Sequence, residues 1–350
     1  MMNSGEETIR WLFKDHLQVD EAWSIRTPKG FKWWADKHLQ IVEIIGEKRF
    51  PDGDTEYCIS VRTDFLRSVK INDEMLQKIN MKLLPFSSMA GVVHDPENST
   101  LELCSLVRVY EHIREWMAPV IGVASVLQIA EAKRYGDYFA KILGAENAIS
   151  GHPQGGIRKA PDEMSSLSER LIIPVGKQPS RWTQEEFEEA CSENMQRPPA
   201  ILATNGGQGI TIEFPFGEKE SSLCMLKGGR SHAIYGNGLY SIQVFPVKTM
   251  SLSEGVTMAL SLNKRHLAEC PEGYGFGGFH YEEDSIVFMG FLPNALYRPG
   301  LLPNLFFSCA SRAKDLSSYL TGHDWTSDSF DPRRSSAFRL SEEMKNLESR

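Results

Sequence analysis

The sequence predicts an α+β fold of two tandem domains, each an antiparallel sheet packed with helices, the two arranged as a pseudo-dimer. Three observations carry this. The chain has 350 residues, more than one compact core usually holds at roughly 100–200 residues per domain. The order helix, several antiparallel strands, helix, hairpin, helix occurs twice along it. The two occurrences also share landmarks: His94 and His280 stand 186 residues apart, the helix starts Thr8 and Thr183 are 175 apart, and the helical residues Met117 and Leu302 are 185 apart. Around the histidines, Gly91-Val-Val-His94-Asp-Pro-Glu-Asn-Ser-Thr aligns with Gly277-Gly-Phe-His280-Tyr-Glu-Glu-Asp-Ser, one turn residue shorter. Repeated units of this kind bury one face of a sheet under helices, and duplicated halves commonly pack as a pseudo-dimer.

In chain order, Ile9, Leu12, Phe13 and Leu17 form a helical stripe over 8–17. Strands follow at 23–25, 31–34, 39–45 and 57–61, separated by Thr27-Pro-Lys-Gly30 and Pro51-Asp-Gly-Asp54, which supply the turn chemistry of a meander. Asn72 caps a helix over 73–84 that stops before Pro85. A hairpin (89–94 and 100–110) leads to a long helix over 114–143. The most apolar window, 117–132, carries Gln128 and Glu131 and falls short of the ~18 residues needed to span a bilayer, so a buried core helix is expected there. Residues 144–180 mix Gly, Pro, Ser and charge without an apolar period and read as a linker. The capping box Thr183-x-x-Glu186 then opens a helix to Gln196. Strands in 200–247, a helix over 253–267, a hairpin in 275–292 and a helix over 301–320 complete the copy. The domains are thus 5–143 and 181–322, with a polar tail over 325–350 that includes a short charged helix at 341–348.

Thirty-eight basic against 46 acidic side chains give a net charge of −8, and no Lys/Arg run exceeds two residues. Nucleic acid and anionic membrane are therefore not expected partners. The six cysteines show no close pair, which suits reduced thiols in a cytoplasm. The acidic opening residues lack a basic stretch followed by an apolar run, so no secretory leader is expected.

Chemistry-bearing motifs are few. Gly273-Tyr-Gly275-Phe-Gly-Gly278 satisfies G-x-G-x-x-G, but alternating residues rather than a helix follow, so it reads as a Gly-rich strand entry. Asp52, Asp54 and Glu56 alternate in a way calcium would tolerate, yet the run turns straight into a strand, which favours a solvated hairpin turn. No nucleophile elbow, P-loop or zinc spacing occurs, so no catalytic residue, cofactor or metal ligand is assigned. The cysteines lie in apolar runs, as small core residues do. The His94/His280 pair is either an inherited structural residue or a titrating element. Phe31-Lys-Trp33-Trp34 puts large apolar groups on both faces of a strand, so either a protein-binding patch is exposed or loops or the other half cover it.

Leu260-Ser-Leu-Asn263, the Gly275–Phe279 strand and Ile286-Val-Phe-Met-Gly-Phe-Leu-Pro-Asn294 with the helix after it resemble the bacterial YbjN family, over about 5–143 and 180–322. The first half lacks the Phe-Leu-Pro-Asn run and has Ser105-Leu-Val-Arg108 in its place. The family is similar in fold to type III secretion chaperones. The resemblance implies a cytoplasmic, non-enzymatic protein-binding or chaperone-like module, a monomer with pseudo-two-fold symmetry or a homodimer. Trp33, Trp34, Tyr235 and Tyr240 are then its candidate contacts with a protein client. The rival from another class is an enzyme, or a small-molecule or metal-binding protein, using the cleft between the halves.

Overall fold

The computed structural model describes residues 3–51, 53–86, 88–173, 178–194, 208–217, 220–269, 275–298 and 300–322. It is α+β, with two sheets and helices packed on them. The tail and its charged helix lie outside the described residues, as do the first residues of the strand region that begins near 200.

Helix α1 (Ser4–Trp11) starts where Asn3 accepts the Glu6 amide and Glu6 answers with a bond to the Asn3 amide, a capping box that sets the start four residues before Thr8. A π-turn (Leu12–His16) continues it and buries Leu12 and Phe13. The meander is β1 (Ser24–Thr27), β2 (Gly30–Trp33), β3 (Gln40–Arg49) and β4 (Thr55–Arg67). Helix α2 (Asp73–Lys78), capped by Asn72, passes into a second π-turn and is followed by the hairpin β5 (Gly91–Asp95) and β6 (Thr100–Val109). The sheet order is β1-β2-β3-β4-β6-β5. Helix α3 (Arg114–Leu143) lies across β4 and β6 and ends at Gly144, whose φ of +59° is the left-handed value that favours glycine. It is long and apolar enough to cross a membrane, but most of it is buried in this fold.

Gln128, the polar residue in that apolar window, is the hub of a buried network. It accepts from Thr63 Oγ1 (2.9 Å) and donates to Ser105 Oγ (2.9 Å) and the Val61 carbonyl (3.2 Å). Gln40 extends the network by donating to Thr63 Oγ1 (2.9 Å) and to the Ser125 carbonyl (3.0 Å). These bonds tie α3 to β3, β4 and β6 and fix the register of helix on sheet, with the Gln40 Oε1 left buried without a hydrogen-bond partner.

The stretch read as a linker is folded from its start. Strand β7 (Glu146–Asn147) pairs with the end of β4, and helix α4 (Glu163–Ile172) packs on α3. Between them Arg158 is buried, its Nη1 donating to the Trp34 carbonyl (2.8 Å) and its Nη2 to Asp20 (2.9 Å). Trp34 Nε1 donates to Ser150 Oγ (3.1 Å), and His152 meets both Trp34 and Trp23 edge-on. This strap covers the aromatic strand. Trp33 (0% exposed) and Trp34 (4%) are core residues, which corrects their expected role as contacts. The sequence signal was weak because the strap is held by polar side chains on backbone carbonyls and carries no apolar period.

Helix α5 (Gln184–Asn194), strands β8 (Gly209–Phe216), β9 (Glu220–His232) and β10 (Gly236–Pro246), helix α6 (Leu252–Ala268), strands β11 (Gly278–Glu282) and β12 (Ser285–Pro293), and helix α7 (Leu301–Thr321) repeat the expected order. The second sheet runs β11-β12-β10-β9-β8, with α7 and α5 packed on β8.

The chain divides into two compact units, and the division departs from the sequence halves. The first unit takes the chain to Ile172 together with α6 and Gly275–His280; the second takes Ile173–Met250 and the chain from Tyr281. Helix α6 packs on β5, β6 and α2, with Leu267 against Val93 and Cys104. An amphipathic stripe announces that one face is buried but not which sheet buries it, so sequence order alone assigned α6 to the second domain. Ser251 and Glu254 form a complete capping box at its start. Ser251→Ala is expected to destabilise the first unit by about 1 kcal/mol in chemical unfolding, and no change would mean that α6 contributes nothing to that unit.

The Gly-rich segment is a strand entry: Gly275 exchanges backbone hydrogen bonds with Leu106, and β11 follows where a dinucleotide site would need a helix. A Cβ on Gly278 would come within 2.8 Å of Gly91 Cα, and one on Gly91 within 2.7 Å of the Gly277 carbonyl. The matched glycines of the two copies therefore meet, and only glycine permits that approach. Asn263 on α6 secures the strand by accepting the Phe279 amide (2.7 Å) and donating to its carbonyl (3.1 Å).

Candidate functional site

The second sheet has one closed face and one that is open over part of its area, with Thr211, Val287 and Phe291 on it buried. Alternation along β9 and β10 sends Cys224, Leu226, Leu239, Ser241, Gln243 and Phe245 to the closed side, where they are buried. On that side Gln243 Nε2 donates to the Cys309 carbonyl on α7 (2.8 Å) and Gln243 Oε1 accepts from Arg312 (3.2 Å).

The residues between them face the other way. Strand register lines them up in rows: Thr211, Met225, Ile242 and Met289 in one, Glu213, Leu223, Val244 and Val287 in the next, and Lys227, Tyr240 and Phe291 in a third. Leu223, Met225, Ile242, Val244 and Met289 are only half-buried. A solvated face of an antiparallel sheet normally carries polar residues at such positions, so five adjoining apolar side chains there are a departure. Charge enters at the third row, where Lys227 stands opposite Tyr240 and the Arg230 guanidinium lies 5.3 Å from the Tyr240 ring centre. Burial raises the Tyr240 phenol above its ordinary value, with Arg230 opposing.

Of the four aromatic candidates, only Tyr240 is on this open face. Tyr235 is 1% exposed, stacked with His232 in the turn between β9 and β10, which removes it as a contact residue in the same way as Trp33 and Trp34. Met225, Ile242, Val244 and Met289 were missed. The available signal was Leu223-Cys-Met-Leu226 and Ile286-Val-Phe-Met289, strands apolar on both faces.

The corresponding face of the first sheet is charged. Arg62 bonds Glu43 (2.6 Å) and lies 3.9 Å from Glu102, and Asp64 stands opposite Glu102 in register. Burial, and then the neighbouring Glu102 charge, push the Asp64 carboxyl up to about 6 against the pull of Arg62 and Lys32. Burial also raises Glu102.

Glu56 corrects the reading of its turn as solvated: it is 1% exposed and paired with Arg108 at 3.1 Å, with the Tyr110 hydroxyl donating to the same oxygen. Asp52 lies outside the described residues. Among the described residues no group of three His, Cys, Asp or Glu side chains is arranged to hold a metal ion. His94 is half-buried, and burial lowers it below its ordinary value. Comparison of the chain with protein-family models, curated proteins and solved structures gave no match.

Proposed function

We propose that the chain is a non-enzymatic, chaperone-like protein-binding module of the YbjN type, working in the cytoplasm, and that the open face of β9, β10 and β12 holds its client. The observation that carries this reading is the block Leu223, Met225, Ile242, Val244 and Met289, left half-exposed where alternation calls for polar residues. Lys227 and Arg230 at one end select the occupant: an extended protein segment with apolar side chains at alternate positions and acidic groups toward the Tyr240 end.

The test uses a reduced, carboxymethylated model protein, which is extended and acidic. The native chain is expected to bind it and to suppress its aggregation. Met225→Glu with Ile242→Glu should weaken that binding at least about tenfold, the loss of roughly 1.4 kcal/mol of apolar contact. Glu43→Gln, on the first sheet, should leave binding unchanged. Equal binding by the native chain and the double variant would sink the assignment of this face.

A further inference from the structure

Helix α7 ends at the same end of the second sheet as the apolar part of its open face, within one compact unit. The Gly217 amide, just past β8, donates to Ser317 Oγ on α7 at 3.0 Å, and a Cβ on Gly217 would stand 3.6 Å from the Thr321 methyl. The helix therefore stops, at Gly322, beside the turn that joins β8 to β9. Of the three rows on the open face, the one holding Leu223 and Val244 is nearest that turn, the row of Met225, Ile242 and Met289 comes next, and the row of Lys227 is farthest from it. Chain leaving α7 thus reaches the apolar rows before the basic one.

The tail beyond Gly322, which lies outside the described residues, carries the sequence pattern this face calls for. Phe338 and Leu340 stand at alternate positions, Glu342 is next in the same alternation, and Glu343 follows it. Laid from the turn toward Tyr240, a segment with that spacing sets two large apolar groups over Leu223, Val244, Met225 and Ile242 and brings its carboxylates to Lys227 and Arg230. Sixteen residues lead from Gly322 to Phe338. Extended, they reach up to about 50 Å, ample to pass from the closed side of a sheet to the open one. Size argues against a second folded copy as the occupant. Three strands about 4.8 Å apart and rows roughly 7 Å apart make a patch on the order of 200 Å². A stable interface between folded chains takes about 800 Å² from each partner. A short extended segment fits the patch, and one tethered to the same chain has an effective concentration of about a millimolar.

We propose that the segment 338–343 of the chain's own tail docks on the open face of β9, β10 and β12, with Phe338 and Leu340 on the apolar rows and Glu342 and Glu343 at Lys227 and Arg230, and that it competes there with the client. The competition rests on reading this face as the client surface; the docking does not. A face covered for two-thirds of the time lowers the apparent affinity for a client about threefold, so the tail sets a threshold that only a segment of better fit or higher concentration passes.

The experiment mixes unlabelled and nitrogen-15-labelled full chains, treats them with a water-soluble carbodiimide, which joins an amine to a carboxylate only where the two touch, and maps the peptides by mass spectrometry. The expected product joins Lys227 to Glu342 or Glu343 within one chain. It should be lost in Phe338→Asp with Leu340→Asp, a change outside both sheets, and that variant should bind the carboxymethylated client about threefold more tightly. The proposal is overturned if the product is absent, if it survives the double substitution, or if it joins labelled to unlabelled chains, which would make a second copy the occupant. The link is read without client, so its absence and a failure to bind client are separate results. Saturating client should also remove the link; a link that persists beside bound client would uphold the docking and overturn the client reading of this face.

Discussion

Arg108→Met is expected to lower stability by about 3–5 kcal/mol, measured by urea unfolding at pH 7. Arg108 on β6 and Glu56 at the start of β4 have side chains 8% and 1% exposed, and the guanidinium meets the carboxylate at 3.1 Å. Removing the arginine leaves a buried carboxylate to which the Tyr110 hydroxyl still donates. The penalty comes from this uncompensated charge more than from the lost attraction, and a double variant separates the causes. Glu56→Gln combined with Arg108→Met buries no charge and should lose about half as much as the single change. A double variant as unstable as the single one would show that packing, not charge, sets the loss.

Glu56 also marks where the sequence stops being informative. Its spacing with Asp52 and Asp54 describes a polar turn, and nothing local shows that Arg108, 52 residues away, draws it into the interior. Strands, helices and their order were legible because alternation, helical stripes, Asn72, Pro85 and the turn glycines are local signals. The helix read at about 114–143 has those bounds, and Gly144 ends it. Partnership was not legible. The stripe on α6 fits either sheet, and the strap through His152 and Arg158 lacks periodicity because its contacts are side chain to backbone. Trp34 illustrates the cost of that gap: the strap that covers it through Ser150 and His152 cannot be read from the tryptophans themselves.

The two copies have kept their strand order while the faces opposite their main helices have diverged. Where the first sheet carries Arg62, Asp64, Glu43 and Glu102, the second carries Ile242, Val244, Met225 and Met289. A charged, self-paired face resists association and an apolar one invites it. Under the proposed function, the apolar face of the second sheet is the one that would hold a client, and the charged face of the first is not. Client affinity should accordingly respond to substitutions on β9, β10 and β12, and pH-dependent stability to substitutions on β4 and β6.

Asp64→Asn is expected to stabilise the protein by on the order of 2 kcal/mol at pH 8 and by nothing near pH 3.5. The Asp64 carboxyl is pushed up from 3.8 to about 6 in the folded chain, by burial first and by Glu102 second, while Arg62 and Lys32 oppose. Between those values the folded state holds a proton that the unfolded chain releases, so stability falls as pH rises through the window. Below it both states are protonated and the penalty is absent; above it the ionised, half-buried carboxylate imposes the full penalty. Asparagine keeps the shape and removes the titration, and Arg62 retains Glu43 at 2.6 Å as its partner. Unfolding free energies of the two chains should converge below pH 4 and separate between pH 4 and 6. Parallel curves across that range would mean that Asp64 is solvated and that the acidic pair on β4 and β6 does not set the pH response of the first unit.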